Sequence, residues 1–171
     1  MDVSGFTRFH QTLFCIYLLL GSAALAQPSN FSGSYAAQQK KSDKTPTVSI
    51  RVAQTESSVE ITQVFGDKSV TNRFSLDGTE GEYTTETGVH GKCKGQLKND
   101  TLVLESLVAS SPAANVPSIR FDTIEQWRLS ADTKTLTIKT EIRSPDIPAE
   151  VMVAAFPNNP RTDKYQRLDM H

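Results

Sequence analysis

The stretch Thr47–Gly78, TVSIRVAQTESSVEITQVFGDKSVTNRFSLDG, decides the fold. Within it Val48, Ile50 and Val52 alternate with Thr47, Ser49 and Arg51, and Val59 and Ile61 alternate with Ser58, Glu60 and Thr62. A third run sets Val70, Asn72, Phe74 and Leu76 against Thr71, Arg73 and Ser75. A period of two belongs to a strand, whose successive side chains point to opposite faces. Gly66-Asp67 parts the second run from the third. Asp77-Gly78 then offers the positive φ angles that a type I′ hairpin turn needs.

The same rhythm extends toward the C-terminus. It predicts strands over Glu82–Thr87, His90–Leu97, Thr101–Val108, Ile119–Leu129 and Leu136–Ile142. Val, Ile and Thr dominate these runs and favour extended backbone through their stiff side chains. One loop of substance, Ala109–Pro117, interrupts them. After Arg143, Pro145 and Pro148 break the pattern; Val151–Phe156 reads as a further strand and Lys164–Leu168 as a short closing one. About eight to ten strands joined by short turns predict an all-β domain, a single antiparallel up-and-down β-barrel.

Toward the N-terminus the chain changes character. Arg8 precedes an apolar run from Leu13 to Leu20, and Ala24-Leu25-Ala26 offers small residues for cleavage. A basic start, a short apolar core and a small-x-small exit describe a secretory signal peptide. The expected organisation is therefore a signal peptide at 1–26, cleaved after Ala26, and a barrel domain at 27–171. The apolar run is too short for a membrane span, which needs about 20 residues. The expected destination is the periplasm or beyond, without stable membrane insertion.

Composition narrows the partners. The 18 Lys and Arg nearly balance the 19 Asp and Glu and are spread along the chain. No basic stripe of a nucleic-acid binder is present. Of two cysteines, Cys15 lies in the leader, so the mature domain holds only Cys93 and no internal disulfide.

Asn30-Phe31-Ser32-Gly33-Ser34-Tyr35 resembles the Gly-x-Trp opening of lipocalin-like (calycin-type) barrels, where an aromatic residue on the first strand plugs the barrel floor. Here Tyr35 takes the Trp position. The stretch from Glu125-Gln126-Trp127-Arg128-Leu129-Ser130-Ala131-Asp132 to Thr137 resembles a hairpin of small exported bacterial proteins that begin Asn-Phe-Ser-Gly and end near a Tyr-x-Arg stretch, as Tyr165-Gln166-Arg167 does. Those proteins usually carry Gly at the turn position that Thr133 fills. The resemblance implies a lipocalin-like barrel and brings no catalytic residues.

Chemistry-bearing residues are sparse. Alternation turns Cys93 inward and its flanking Lys92 and Lys94 outward, so an inert thiol is expected. His90 should face solvent, and its three-residue spacing from Cys93 puts the two on opposite strand faces, which is poor zinc geometry. Glu60, Asp122 and Glu141 fall on outward faces. No nucleophile elbow, phosphate loop or dinucleotide fingerprint appears. No enzyme, metal or cofactor is expected.

One face is unusual. Ile119, Phe121, Thr123, Glu125, Trp127 and Leu129 lie together, as do Val70, Asn72, Phe74 and Leu76. If these face inward, Glu125, Thr123 and Asn72 enter an apolar interior, where an unpaired carboxylate costs several kcal/mol. A bulge could turn Glu125 outward, or a buried arginine such as Arg51 or Arg73 could pair with it. Alternatively, Trp127, Glu125, Phe121, Thr123, Phe74 and Asn72 line a site for a small apolar or amphipathic ligand. Gly91 and Gly95 then leave cavity space or mark bends. The function expected is non-enzymatic ligand binding in the barrel. The alternative is a protein-interaction or structural envelope module with a filled barrel, using the Ala109–Pro117 loop against a partner of unknown identity.

Overall fold

The computed structural model describes residues 29–38, 48–111 and 117–168. The expected leader and its cleavage site, and most of the Ala109–Pro117 loop, lie outside the described residues. Ten strands follow the chain: β1 (Gly33–Ala37), β2 (Val48–Gln54), β3 (Ser58–Phe65), β4 (Lys68–Ser75), β5 (Gly81–Thr84), β6 (His90–Lys98), β7 (Thr101–Ser110), β8 (Ile119–Leu129), β9 (Thr135–Arg143) and β10 (Arg161–Arg167). All pair antiparallel in the order β4-β3-β2-β1-β10-β9-β8-β7-β6-β5, so consecutive strands are hydrogen-bonded neighbours except β4 and β5, which stand at the two ends of the order, while β1 pairs with β10. The result is a nearly closed up-and-down barrel.

The alternation read from the sequence is the alternation of this barrel. Ile50 and Val52 on β2, Val59 and Ile61 on β3, Phe74 on β4, Leu102 and Leu104 on β7, Trp127 on β8 and Leu136 and Ile138 on β9 join one buried cluster. Arg51, Glu60, Thr71 and Arg73, between them in sequence, are exposed. Burial of such side chains stabilises by roughly 1.5–3 kcal/mol each and opposes the chain entropy lost on ordering.

The floor is closed by the first and last strands. Phe31 and Tyr35 are fully buried, and the Tyr35 hydroxyl donates to the Phe31 carbonyl at 2.9 Å. Arg167 lies 5.8 Å above the Tyr35 ring and donates from its guanidinium to the Ser32 carbonyl. Tyr35 is thus buried where β1 meets β10, beneath an arginine.

A seam runs between β4 and β5, which share no ladder among the described residues. Asn72 bridges it: its Nδ2 donates to the Thr84 carbonyl at 2.9 Å and its Oδ1 accepts from the Thr84 N–H at 2.8 Å. The Cys93 thiol lies 3.4 Å from the Arg73 carbonyl on β4 and 3.2 Å from that of Glu82 on β5.

Four expectations need correction. Asp77-Gly78 is not a type I′ turn, because only Gly78 has positive φ (86°); the Asp77 carboxylate instead accepts from Ser75 Oγ and Thr79 N–H, turning the chain across the seam. Val151–Phe156 is not a strand: Ala149–Ala155 form α1, a seven-residue helix, with Pro148 before it, Glu150 in its first turn and only Met152 buried. Gly91 and Gly95 do not create open space. A Cβ at Gly91 would strike the Leu107 carbonyl, and at Gly95 it would come within 3.2 Å of Phe74 Cβ and Ser75 O. Ala109 and Ser110 extend β7 rather than opening the loop. Thr133 takes the turn position with φ 58°, the left-handed conformation a Gly would adopt more readily.

Candidate functional site

The register decides where the inward polar residues meet. On β8, Glu125 stands opposite Leu104 of β7 and Thr140 of β9, while Trp127 stands opposite Leu102 and Ile138. Pairing with both neighbours is continuous, so no bulge turns Glu125 outward. Arg51 and Arg73 are exposed and are not its partners; Arg73 reaches Ser58 Oγ instead. The partner is two residues along the same face: Trp127 Nε1 donates to Glu125 Oε2 at 2.9 Å.

Glu125, Trp127, Asn72 and Phe74 border a cavity of about 20 Å³, together with Ile61, Gln63, Tyr83, Leu104 and Ser106. That volume matches a single water-sized group. Glu125 keeps some accessible surface because it lines this cavity, yet protein surrounds it, and burial pushes its carboxyl above the usual carboxylate range. The Trp127 hydrogen bond and Arg161 pull the other way and do not prevail. The Tyr83 hydroxyl is raised by burial and then by the nearby Glu125 charge. Tyr165 on β10 is pushed up to about 12, first by burial and then by Asp163 and Glu125. Arg161, directly opposite Thr140, is held by Asp163 at 3.1 Å.

Phe121 and Thr123 sit elsewhere. They line a cleft of about 270 Å³ with Thr85, Val108, Ile142 and Phe156, and this cleft shares Tyr83 and Ser106 with the cavity. Phe156, just past α1, meets Phe121 edge-on with ring centroids 6.2 Å apart. A second hollow of about 210 Å³ continues past Ile142 and Phe156 toward Pro157 and Arg161. The structure therefore divides the six residues singled out from sequence: four surround the cavity and two line the cleft.

Sequence reasoning missed Gln63, Tyr83, Ser106 and Phe156. Parity offered the first three, since Gln63 follows Ile61 by two, Tyr83 follows Gly81, and Ser106 continues the Leu102 and Leu104 face. Phe156 carried no such signal, because its segment was misread as a strand. Cys93 is buried, its thiol pushed up by that burial, and Lys92 and Lys94 point away from it to Glu80 and Glu105. His90 is exposed.

At the rim, Arg120 grips Asp146 through Nε and Nη2 at 3.0 and 2.8 Å, tying the start of β8 to the β9–β10 connector. The Asp146 carboxyl is held down to about 2 by this arginine. Asn159 fastens the same connector to β9, accepting from the Ile142 N–H at 2.8 Å and donating to its carbonyl at 2.6 Å.

No protein-family model matches the chain, and no curated protein is similar to it in sequence. Solved structures do share its shape. The REP1-NXSQ fatty acid transporter superposes with a TM-score of 0.53 at 13% identity, over 82% of this chain and 97% of that one. A Schistosoma mansoni fatty acid binding protein in complex with arachidonic acid gives 0.50 at 14% identity, over 81% and 96%. Echinococcus granulosus fatty-acid-binding protein 1 gives 0.51 at 9%, over 81% and 98%. At such low identity the likeness is one of fold alone: this chain forms a ten-stranded antiparallel up-and-down barrel, shaped like those of fatty-acid-binding proteins.

Proposed function

We propose that this protein is an exported, non-enzymatic carrier that holds a small apolar or amphipathic ligand in its barrel. The observation that carries this reading is the cleft of about 270 Å³ walled by Val108, Phe121, Ile142 and Phe156, which abuts the polar cavity at Glu125 through Tyr83 and Ser106. An apolar wall with a few convergent polar groups is the usual make-up of a small-molecule site. The neighbours in fold include proteins described as binding or transporting fatty acids, which supports the same class of cargo. Phe121 and Thr123 contact the ligand's chain and Glu125 its polar end, whereas Asn72, Phe74 and Trp127 hold the wall behind it. The cleft lies just below the roughly 300 Å³ at which drug-sized pockets begin, so the ligand is short or projects past Phe156. Export rests on the leader read from Arg8 to Ala26.

The test is native mass spectrometry of the protein purified from its exported fraction, followed by titration with a fluorescent short-chain lipid probe. A bound mass that organic extraction removes, together with loss of probe uptake in Val108→Trp, supports the carrier. A bare polypeptide mass and no probe uptake by the natural chain would sink it.

A further inference from the structure

The cavity behind the cleft has a lopsided lining. Its polar residues are Gln63, Asn72, Tyr83, Ser106 and Glu125, and among the described residues no lysine, arginine or histidine borders it. Asn72 is committed at both ends of its carboxamide to Thr84. Glu125 commits one carboxyl oxygen to Trp127, leaving the other for an occupant of the cavity.

Taking the carrier reading as given, we propose that this barrel selects amphiphiles with a primary ammonium head, which Glu125 receives as its counter-ion while the chain lies in the cleft. Size argues for it. About 20 Å³ admits one water-sized group, which an ammonium is and a carboxylate is not. Donor and acceptor chemistry argues for it too. An ammonium brings three donors and no acceptor, and Glu125, Gln63, Tyr83 and Ser106 all carry accepting oxygens. A carboxylate head would instead meet Glu125 with no cation in the lining.

Among the described residues, the charged and titratable groups that act on Glu125 or feel its charge are Tyr83 on β5 and Arg161, Asp163 and Tyr165 on β10. Arg161 is the one cation among them; it lowers the Glu125 carboxyl less than burial raises it, and it is paired with Asp163 with its side chain 63% exposed. Burial favours the neutral form of Glu125 in the empty barrel. A protonated Glu125 must release its H⁺ to solvent before the carboxylate can pair with the incoming ammonium. The affinity for an alkylamine rises with pH as that proton becomes easier to release, and the affinity for a fatty carboxylate falls.

The experiment is calorimetric titration of the purified protein with octylamine, 1-octanol and octanoate from about pH 5 to about pH 8, in the natural chain and in Glu125→Gln. Octylamine is expected to bind at least about tenfold more tightly than octanol at neutral pH, with octanoate weakest. Glu125→Gln should erase that preference and its pH dependence. Octanoate binding as tightly as octylamine, or an amine preference that survives in Glu125→Gln, overturns the proposal. If Glu125→Gln does not fold, the opposite pH trends of amine and carboxylate in the natural chain decide it alone. Octanol uptake without an amine preference removes this proposal and leaves the carrier standing. If none of the three binds, both fall.

Discussion

The Asn72 carboxamide is bonded through both its nitrogen and its oxygen to the backbone of Thr84, and so does for β4 and β5 what a ladder does for every other neighbouring pair. Asn159 repeats the arrangement with Ile142, so one side-chain device is used twice where backbone pairing is missing. A buried backbone donor and acceptor left alone costs free energy, and an amide side chain of the right reach answers both at once. Asn72→Ala should destabilise the fold by about 1–3 kcal/mol. It should also speed hydrogen exchange at the Thr84 N–H well beyond that at Ile61 or Leu104. Denaturant unfolding with residue-resolved exchange measures both.

Cys93 gives a second view of the seam. Its thiol lies against carbonyls of both β4 and β5 and is pushed toward the neutral form by burial. A thiol reagent should therefore label Cys93 only when the seam opens. Labelling at neutral pH is expected to be slow in the natural chain and about tenfold or more faster in Asn72→Ala, following the loss of roughly 1.4 kcal/mol or more in opening free energy. Equal labelling rates in the two proteins would break the link between the carboxamide and the seam.

The floor makes a prediction about additivity. Gly33 has φ 151°, and a Cβ there would sit 3.0 Å from the Arg167 guanidinium. Gly33→Ala should cost about 1–3 kcal/mol. Arg167→Ala, which removes the Ser32 bond and the Tyr35 contact, should cost a similar amount, roughly 1–3 kcal/mol. Together they should cost less than their sum, because the second change removes the group the new methyl strikes. A double-mutant cycle by urea unfolding reads this directly.

Glu125 sets the sign of a pH dependence. Its folded carboxyl titrates above the ordinary 4.5 because it is buried. Stability from this group is fully present below that ordinary value and is lost as pH rises through the folded one. Glu125→Gln keeps an acceptor for Trp127 and removes the titration. The variant should gain stability relative to the natural chain as pH rises above 4.5 through the folded carboxyl's own titration, seen as diverging denaturation midpoints. Trp127 fluorescence in the folded natural chain should change across the same range, since the indole N–H faces the titrating group at 2.9 Å.

What was legible in the sequence was parity. Ile119–Leu129 carries the same bounds as β8, and the inward set Phe121, Thr123, Glu125, Trp127 and Leu129 followed from counting by two. Pairing was less legible. Glu125 and Trp127 are neighbours on that face, so their bond is open to the same counting, whereas period two alone does not say which of a bulge, a distant arginine or a same-face indole answers a buried carboxylate. Asn72 could not be understood without knowing that β4 and β5 do not pair, a fact about closure that no local pattern records. Val151, Met152 and Val153 read as strand because they are apolar and β-branched in part, yet Val151 and Val153 are 50% and 71% exposed in α1. Hydrophobicity there did not mark burial, and Pro148 with Glu150 marked the start of a helix.

The pairing of β1 with β10 has a consequence for the order of folding. Tyr35 lies opposite Arg167, so the ring of strands cannot close until β10 is in place. Hairpins from β2 onward can form first, each from local contacts. The floor, with Phe31 and Tyr35, waits for a strand more than a hundred residues away, and contacts so remote in sequence form slowly. A truncation that removes Arg161–Arg167 would therefore yield no smaller barrel. It would leave two sheets, β1 to β4 and β5 to β9, joined only across the β4–β5 seam, with β1 and β9 as bare edges, the kind of surface that recruits other chains.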